Sequence, residues 1–398
     1  MTETGVTPVQ PSQPWSRRVL AAVLVRTGAR LGLAWIALLA LVAVFAPFIA
    51  NSHPLYLVVD GEMRFPAIRH LDATDWTWLA AFVLGLVLLR LPGHGLLRLL
   101  GWFASVGVAA AIAWFTVAPP QLAIYEQYRE WEAAGRVETV VRAPIPYSAK
   151  DYLRDYGDTG IEAPLKAHDG RTHWFGTEDN GADVAARMIH AARVALGIGF
   201  IATGIALVIG TIIGGLMGYF SGVVDIIGMR LVEIFEAIPT LFLLLTFVAF
   251  FGRSIYMMMI IIGITSWSGY ARYVRAEFLR LREQDFVQAA IACGLPLRSI
   301  LFRHMLPNGV APLLVAASFG VASAILAEAT LSFLGLGLVD DPSWGQLLNQ
   351  AVQSSTFNWW LAVFPGGAIF LTVFAYNLVG EALRDAVDPH TQRSGRAS

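Results

Sequence analysis

The residues best placed to do chemistry form a short polar stretch between two long apolar runs, DFVQAAIACGLPLRSILFRHMLPN at Asp285–Asn308. Asp285 begins a good helix sequence, and an acid there suits the positive end of the helix dipole. Gly294 can adopt the left-handed conformation that ends a helix, and Pro296 can begin a second one. The stretch is therefore predicted to be a helix-turn-helix ending at Met305, with Leu306-Pro307 marking entry into the next membrane span.

The chemistry predicted for this helix-turn-helix is contact with another protein. Ala289 and Ala290 are small enough to permit close approach by a partner, and Arg298 lies just beyond the turn. A compact knob joined rigidly to two spans can carry force from a soluble partner into the membrane. The alternative is a loop that only lies on lipid head groups, for which its basic second half would suffice.

Several other kinds of chemistry are excluded. Cys293 is the only cysteine, so an internal disulfide and a CxxC site are ruled out. Neither lysine, Lys150 or Lys166, precedes Ser or Thr, so a P-loop is absent. The net charge of -1 argues against a nucleic-acid binder. No metal site is predicted, because ligand spacing is lacking among His53, His70, His168 and His173.

Long apolar runs identify a membrane protein. The chain is 56% hydrophobic and only 14% charged, whereas an average soluble domain has about 25% charged residues. A bilayer core requires about 20 apolar residues per helical crossing. Eight spans are predicted, the first being an uncleaved signal anchor: Leu31–Ala50, Trp76–Leu91, Leu99–Ala118, Val194–Phe220, Ile226–Phe251, Ile255–Ala271, Gly309–Ala327 and Asn358–Val379.

The charge distribution predicts the orientation of the spans. The loop between the sixth and seventh spans is placed in the cytoplasm by the positive-inside rule, because it carries Arg272, Arg275, Arg280, Arg282, Arg298 and Arg303. Eight crossings then leave both termini cytoplasmic. The basic hinge of the second and third spans, with Arg90, His94 and Arg98, also faces the cytoplasm.

These spans divide the chain into predicted regions. They are a tail (1–30), a first span (31–50), an insertion (51–118) with a hairpin (76–91, 99–118), an external loop (119–187), a five-span core (188–385) with a cytoplasmic loop (276–307), and a tail (386–398). In the external loop, APIPY at Ala143–Tyr147 predicts an extended tether.

Two patterns inside the spans bear on packing and motion. Gly210, Gly214 and Gly218 form one flat strip on a helix, suited either to packing within this chain or to a subunit interface. Pro239 and Pro365 are expected to kink their helices. Such a kink serves either motion of a transport pathway or a permanent bend.

The polar stretch resembles the EAA loop of binding-protein-dependent ABC importer permeases, whose pattern is E-A-A, three residues, Gly, nine residues, Ile, one residue, Leu-Pro. The matching positions are Ala289, Ala290, Gly294, Leu306 and Pro307. The departures from the pattern are Gln288 for Glu and His304 for Ile, and the first removes any salt bridge to a partner through that position.

Other segments are similar to the dipeptide/oligopeptide branch of that family. They include RHMLPN at Arg303–Asn308, and WFGTEDNGADVAARMI from Trp174, with Glu178 for Asp and Ala182 for Arg. LAEATLSFLGLG, PSWGQLL and NLVGEALRDAVDPH resemble the second-type membrane subunit. No counterpart is identified for the hairpin and the loop to about Lys166, which look like an insertion.

The resemblance implies an all-α polytopic membrane protein, with a type I ABC importer transmembrane domain, an extra hairpin and a long external loop. It implies a non-enzymatic permease subunit for peptides in the bacterial inner membrane. The implied partners are a second, usually different, permease subunit, two ATP-binding subunits that hold ATP and Mg, and an external solute-binding protein. Contact with the ATPase is expected from Asp285, Gln288, Ala289, Ala290, Gly294, Arg298, Arg303, Leu306 and Pro307.

Glu328, just beyond an apolar span, is expected near the outer membrane interface, about 30 Å along the helix from Asn308. It is a candidate for a gate or a contact to a peptide terminus, together with Pro239. The alternatives are that Glu328 is solvated or caps TLSFLGLG. Arg230 and Glu233 are expected to form a local pair near the cytoplasmic face.

Three alternative functions remain open at this point. An ion-gradient-driven secondary transporter would want acidic or histidine relays at mid-membrane, which the core spans nearly lack. A permease of the same family that transports nickel or another non-peptide solute would have the same architecture. The hypothesis of a membrane-anchored structural protein does not explain the cytoplasmic helix-turn-helix at Asp285–Asn308.

Overall fold

The computed structural model describes residues 15–91, 95–120, 125–152, 161–168, 171–338, 341–354 and 356–387. His94, residues 1–14 of the first predicted tail and residues 388–398 of the second lie outside the described residues. The described helices are α1 (Trp15–Val25), α2 (Thr27–Ile49), α3 (Pro66–Arg69), α4 (Ala73–Arg90), α5 (Gly95–Thr116), α6 (Glu126–Ala133), α7 (Val184–Phe220), α8 (Gly222–Ala237), α9 (Thr240–Phe251), α10 (Ile255–Thr265), α11 (Trp267–Arg282), α12 (Asp285–Ala292), α13 (Leu297–Ser299), α14 (Leu306–Phe333), α15 (Trp344–Gln353) and α16 (Trp359–Val387). The strands are β1 (Tyr56–Val59), β2 (Glu62–Arg64), β3 (Val137–Val141), β4 (Ala167–His168) and β5 (Arg171–Thr172).

By length and composition, six helical stretches among the described residues can cross a membrane, or seven if α8 and α9 together form one span. The axes of α8 and α9 differ by 82°, so the predicted span Ile226–Phe251 is sharply broken rather than kinked. Ile238 is extended (ψ 121°) and Pro239 precedes α9. A residue before proline is driven out of the helical region, and proline cannot supply the next hydrogen bond.

The predicted span Ile255–Ala271 is also divided. Helix α10 is only 11 residues long, and α11 begins directly after Ser266. Helix α11 extends to Arg282 and carries the arginines from Arg272 onward, which the sequence analysis assigned to a loop. The eight predicted crossings therefore correspond to six or seven apolar spans and one short helix.

The packing of α11 against α7 is set by the glycine strip. A Cβ placed on Gly210 would lie 2.9 Å from the backbone nitrogen of Ala271, and one on Gly214 would lie 2.3 Å from the Ala271 carbonyl oxygen. A Cβ on Gly218 would lie 2.7 Å from the Arg275 carbonyl oxygen. Of the two predicted uses of the strip, the structure therefore supports packing within the chain.

The inserted region and the long loop form one unit outside the helical core. Strand β1 lies between β2 and β3 and pairs antiparallel with both, which joins residues 56–64 to residues 137–141. The predicted tether Ala143–Tyr147 is not free. Ala143, Ile145 and Tyr147 are buried, and Ile145 and Tyr147 pack with Ala50 and Ala185.

A buried arginine joins the inserted hairpin to the core. Arg193 of α7 forms an ion pair with Asp75 in the first turn of α4. Its Nε donates to the carbonyl of Ala43 in α2. That carbonyl lies four residues before Pro47, which has no N–H to offer it. One guanidinium therefore ties three helices together.

The first and last described helices are in contact. Helix α1 packs on the end of α16 through Val19, Val23 and Ala382, and Arg26 forms an ion pair with Asp385. The predicted tail at residues 1–30 therefore contains a docked helix.

Replacing Gly214 by alanine should destabilise the fold, because its Cβ meets backbone that cannot rotate away. We expect a loss of about 1–3 kcal/mol, the usual cost of overpacking, read as a lower melting temperature in lipid nanodiscs. Gly204→Ala is the matched control on the same helix, since a Cβ there meets nothing within 4 Å. Equal melting of the two variants would contradict the packing role of the strip.

The unit built on β1, β2 and β3 should lose stability in mild acid. The pKa of His53 is lowered to about 3, first by burial and then by the nearby His70. The unfolded chain binds a proton below about pH 6.5 while the folded unit resists it, so stability falls from pH 6.5 towards pH 3. His53→Phe should flatten this dependence in melting curves, and an unchanged slope would show that another group causes it.

Candidate functional site

The predicted helix-turn-helix begins with α12, which ends as expected at Gly294. Gly294 has φ +68°. Its N–H donates to the Ile291 carbonyl at 2.9 Å, and the Leu295 N–H donates to the Ala290 carbonyl at 3.2 Å. These two bonds are the Schellman pattern, which satisfies the carbonyls left over at the end of a helix.

The second arm differs from the prediction, because it does not stop at Leu306-Pro307. Helix α13 continues through a π-helical segment at Ile300–Met305 directly into α14. Leu297–Phe333 is therefore one helical stretch of 37 residues. The π-helical segment lies just before Pro307. The Asn308 side-chain amide donates a hydrogen bond to the His304 carbonyl at 2.7 Å. The loop and the next span are thus parts of the same rod.

The inner face of α12 is packed on this rod and on α11. Val287 and Ala290 are buried and share a core with Phe278, Ile300 and Met305. The predicted availability of Ala290 for a partner is therefore wrong: its methyl group faces the chain's own core. Ala289, by contrast, is exposed.

Gln288 links α12 to two other helices. Its side-chain amide donates to the carbonyl of Arg282, the last residue of α11, at 2.9 Å. Arg282 in turn donates to the Tyr219 carbonyl at 3.0 Å and to Ser221 Oγ at 2.8 Å. Ser221 has φ +48° at the corner between α7 and α8. Hydrogen bonds through Arg282 therefore connect α12 to the corner between α7 and α8.

The outer face of the loop carries the remaining predicted contact residues. Asp285, Arg298, Arg303 and Pro307 are exposed, while Leu306 is half-buried. A shallow groove of about 440 Å³ runs along the second arm, lined by Pro296, Arg298, Ser299, Phe302, Arg303 and Pro307. The surface therefore offers one acid at the start of α12, a small side chain at Ala289, and two cations beside an apolar groove.

Glu328 lies in a tight junction rather than in an open pathway. It is only 1% exposed, and its Oε1 accepts a hydrogen bond from Ser332 Oγ at 2.6 Å. Ser343, which caps α15, also bonds to it. A Cβ on Gly345 would lie 2.2 Å from the Ala329 carbonyl oxygen, so α15 approaches α14 at backbone distance. The expectation of a solvated Glu328 is wrong. The capping alternative is not supported either, because Glu328 lies inside α14 and bonds to the hydroxyls of Ser332 and Ser343.

A second buried network holds the start of α7. Arg187 donates to Glu178 Oε1 at 2.9 Å and to Gln346 Oε1 of α15 at 3.0 Å. Burial raises the pKa of Glu178, although Arg187 opposes the shift. Sequence reasoning missed Arg187, Arg193 and Arg282. The available signal for the first two was an arginine within an apolar stretch, which must find a partner.

Among the described residues, no group of three or more His, Cys, Asp or Glu lies close enough to hold a metal ion.

Gln288→Glu would restore the acid of the EAA pattern but remove the donor to the Arg282 carbonyl. We expect a local loss of about 1 kcal/mol, since a carboxylate cannot donate this bond. Faster amide exchange should appear at Asp285–Leu295. Gln284→Glu is the matched control, because Gln284 is exposed and its side chain makes no cap hydrogen bond. Unchanged exchange in Gln288→Glu would refute the link.

The comparisons with known proteins agree with the motifs. The family described as binding-protein-dependent transport system inner membrane component matches residues 210–393. The oligopeptide transport system permease protein OppC of Haemophilus influenzae is 40% identical over 218 residues, covering 54% of this chain and 70% of that protein. The dipeptide transport system permease protein DppC of Alkalihalophilus pseudofirmus is also 40% identical over 218 residues, covering 54% and 72%.

A glutathione transport system permease protein, GsiD of Pectobacterium atrosepticum, is 37% identical over 246 residues, covering 62% of this chain and 79% of that protein. Among solved structures, an inward-facing MetNI methionine ABC transporter has a TM-score of 0.41 at 17% identity, covering 50% of this chain and 96% of that chain. The sequence relatives decide the assignment. The chain belongs to the family of binding-protein-dependent transport system inner membrane components, which confirms the predicted importer fold. The structure is largely helical, but its five short strands depart from the all-α prediction.

Proposed function

We propose that this chain is a permease subunit of an ABC importer that conducts peptides across the inner membrane. The oligopeptide and dipeptide permeases at 40% identity support the peptide class. The glutathione relative fits the same class, because glutathione is itself a small peptide. A nickel or other non-peptide solute remains the second candidate within this family frame.

The observation that carries the coupling part of the proposal is the continuity of the loop with the spans. The outer face of α12 and its second arm receive the ATP-binding subunit at Asp285, Ala289, Arg298 and Arg303. Ala290 and the half-buried Leu306 pack inside the loop, while Gly294 forms its turn and Pro307 begins α14. Because Leu297–Phe333 is one continuous helical stretch, a displacement at its end is passed to α14 through helical backbone.

Gln288 supplies the second route for motion. Through Arg282 it connects α12 to the corner between α7 and α8. Two ATP-binding subunits, which hold ATP and Mg, press on this loop and on the corresponding loop of a second permease subunit. The two conformations must differ in contact free energy, since docking that is equally tight in both shifts no equilibrium. An external solute-binding protein delivers the peptide.

In this arrangement α12 and both termini lie in the cytoplasm, and the unit built on β1, β2 and β3 lies outside. The competing ion-gradient transporter would use titratable relays in the spans. Glu328, the acid just beyond an apolar span, is enclosed by Ser332 and Ser343.

Ala289→Arg should uncouple transport from ATP hydrolysis, because a long charged side chain replaces a methyl group on the docking face. We expect peptide uptake into proteoliposomes holding the complete transporter to fall at least about tenfold, equivalent to about 1.4 kcal/mol of lost coupling. The melting temperature of the permease should not change.

The matched control is Ala133→Arg on α6, an equally exposed alanine of the external unit, which should transport normally. The permease without its partners should hydrolyse no ATP. Uptake that continues without the ATP-binding subunits, driven by a proton gradient, would overturn the proposal. So would equal uptake by the Ala289→Arg and wild-type transporters.

A further inference from the structure

The sheet of β1, β2 and β3 is apolar on both of its faces. Paired residues of antiparallel strands share a face, and successive residues alternate between faces. On the first face, Leu57 and Val59 are each only 1% exposed. Leu57 pairs with Arg64, whose guanidinium lies over the ring of Trp131 in α6. Helix α6 therefore lies on the side of this first face.

The second face is largely exposed, and we call it the apolar sheet face. The ring of Phe65 lies 5.6 Å from that of Tyr56, which places it on this face. Met63 is 71% exposed, Phe65 52% and Val141 48%. An antiparallel sheet with one buried face usually has polar residues on the other, but this face consists of Tyr56, Val58, Met63, Phe65, Thr139 and Val141.

The charges around the apolar sheet face indicate what kind of partner covers it. Ion pairs lie near both ends of the strands, and they join Asp60 to Arg136, Glu62 to Arg64, and Glu132 to Arg142. Each pair is neutral, so the pairs supply no positive excess for the anionic head groups of a membrane. Tyrosine, phenylalanine and methionine at the centre, with arginines at the rim, are typical of a protein–protein interface. The charge pattern and composition therefore favour a protein.

The size of the face distinguishes a transient partner from a permanent one. Three strands of up to five residues make a surface of about 14 Å by 17 Å, or roughly 240 Å². A stable complex buries about 800 Å² on each partner, and permanent complexes bury more. The face is therefore too small to hold a permanent second permease subunit, but it suits a protein that binds and leaves. In the proposed transporter, the external solute-binding protein does this on each delivery.

We infer that the apolar sheet face is a docking surface for the external solute-binding protein. The sheet lies outside residues 210–393, which the family model matches, so this contact is additional to those of the permease core. The segment that follows β3 packs through Ile145 and Tyr147 against Ala50 and Ala185, which fixes the sheet beside the start of α7. A receptor held there has a raised effective concentration at the core. This inference rests on the proposed function and adds the receptor's docking surface to it.

The first test measures peptide uptake against receptor concentration, with the complete transporter in proteoliposomes. The probe is the solute-binding protein encoded beside the permease, purified and loaded with trialanine. Met63→Glu should raise the half-saturating receptor concentration at least about tenfold, because docking would remove a carboxylate from water and the avidity of the extra contact is lost. Maximal uptake should stay the same, since saturating receptor makes that contact unnecessary.

Two variants control for structural damage and for charge alone. Met63→Leu keeps the face apolar and should retain the low half-saturating concentration. Ala133→Glu adds the same charge at an exposed position of α6, on the side of the first face, and should also retain it. Equal half-saturating concentrations for Met63→Glu and the wild type would overturn the inference.

The second test identifies the partner directly and does not depend on transport. Met63→Cys in a Cys293→Ser background is labelled with a benzophenone maleimide and irradiated in the complete transporter with added receptor. A crosslink to the receptor is expected, and Ala133→Cys should give none. Crosslinks only to the second permease subunit, to another copy of this chain or to lipid would overturn the inference. A receptor crosslink in a transporter that imports no trialanine would refute the peptide function and leave the docking surface standing.

Discussion

The close backbone contact between α7 and α11 is the constraint on which the rest of the structure depends. At Gly210, Gly214 and Gly218 the facing backbone lies where a side chain would otherwise stand. In a bilayer, helices associate mainly through such close packing, because lipid removes the hydrophobic drive. The contact fixes α11, and α11 positions the loop that follows it and the two arginines that pair with Asp225 and Glu236 of α8.

The polar groups of the core show how charge is accommodated beside apolar spans. Arg193 satisfies a carbonyl that Pro47 leaves open and pairs with Asp75. Arg187 pairs with Glu178, and Glu328 bonds to Ser332. Each is buried with its partner, as low-dielectric surroundings require. The ion pairs of α8 with itself and with α11 are more exposed than these.

The loop and the external unit illustrate two uses of local sequence. Gly294 ends α12 because its positive φ allows the two closing hydrogen bonds, so a helical elbow forms from neighbouring residues alone. The external unit instead depends on pairing between β1 and β3, about 80 residues apart. Its position beside α7 comes from the burial of Ile145 and Tyr147 against residues near the start of that helix.

Much about this protein followed from its sequence alone. The apolar runs, the turn at Gly294, a bend at Pro239 and the family motifs depend on local backbone preference, side-chain type and fixed spacing. The sequence could not decide which glycine face met which helix, that Ala290 turned inward, or that the second arm joined α14 without interruption. It also could not identify the residues to which Arg187, Arg193, Arg282 and Glu328 bond. The contacts that decide these features join residues up to 159 positions apart, as between Arg187 and Gln346. Only the three-dimensional packing selects among the partners that local chemistry permits.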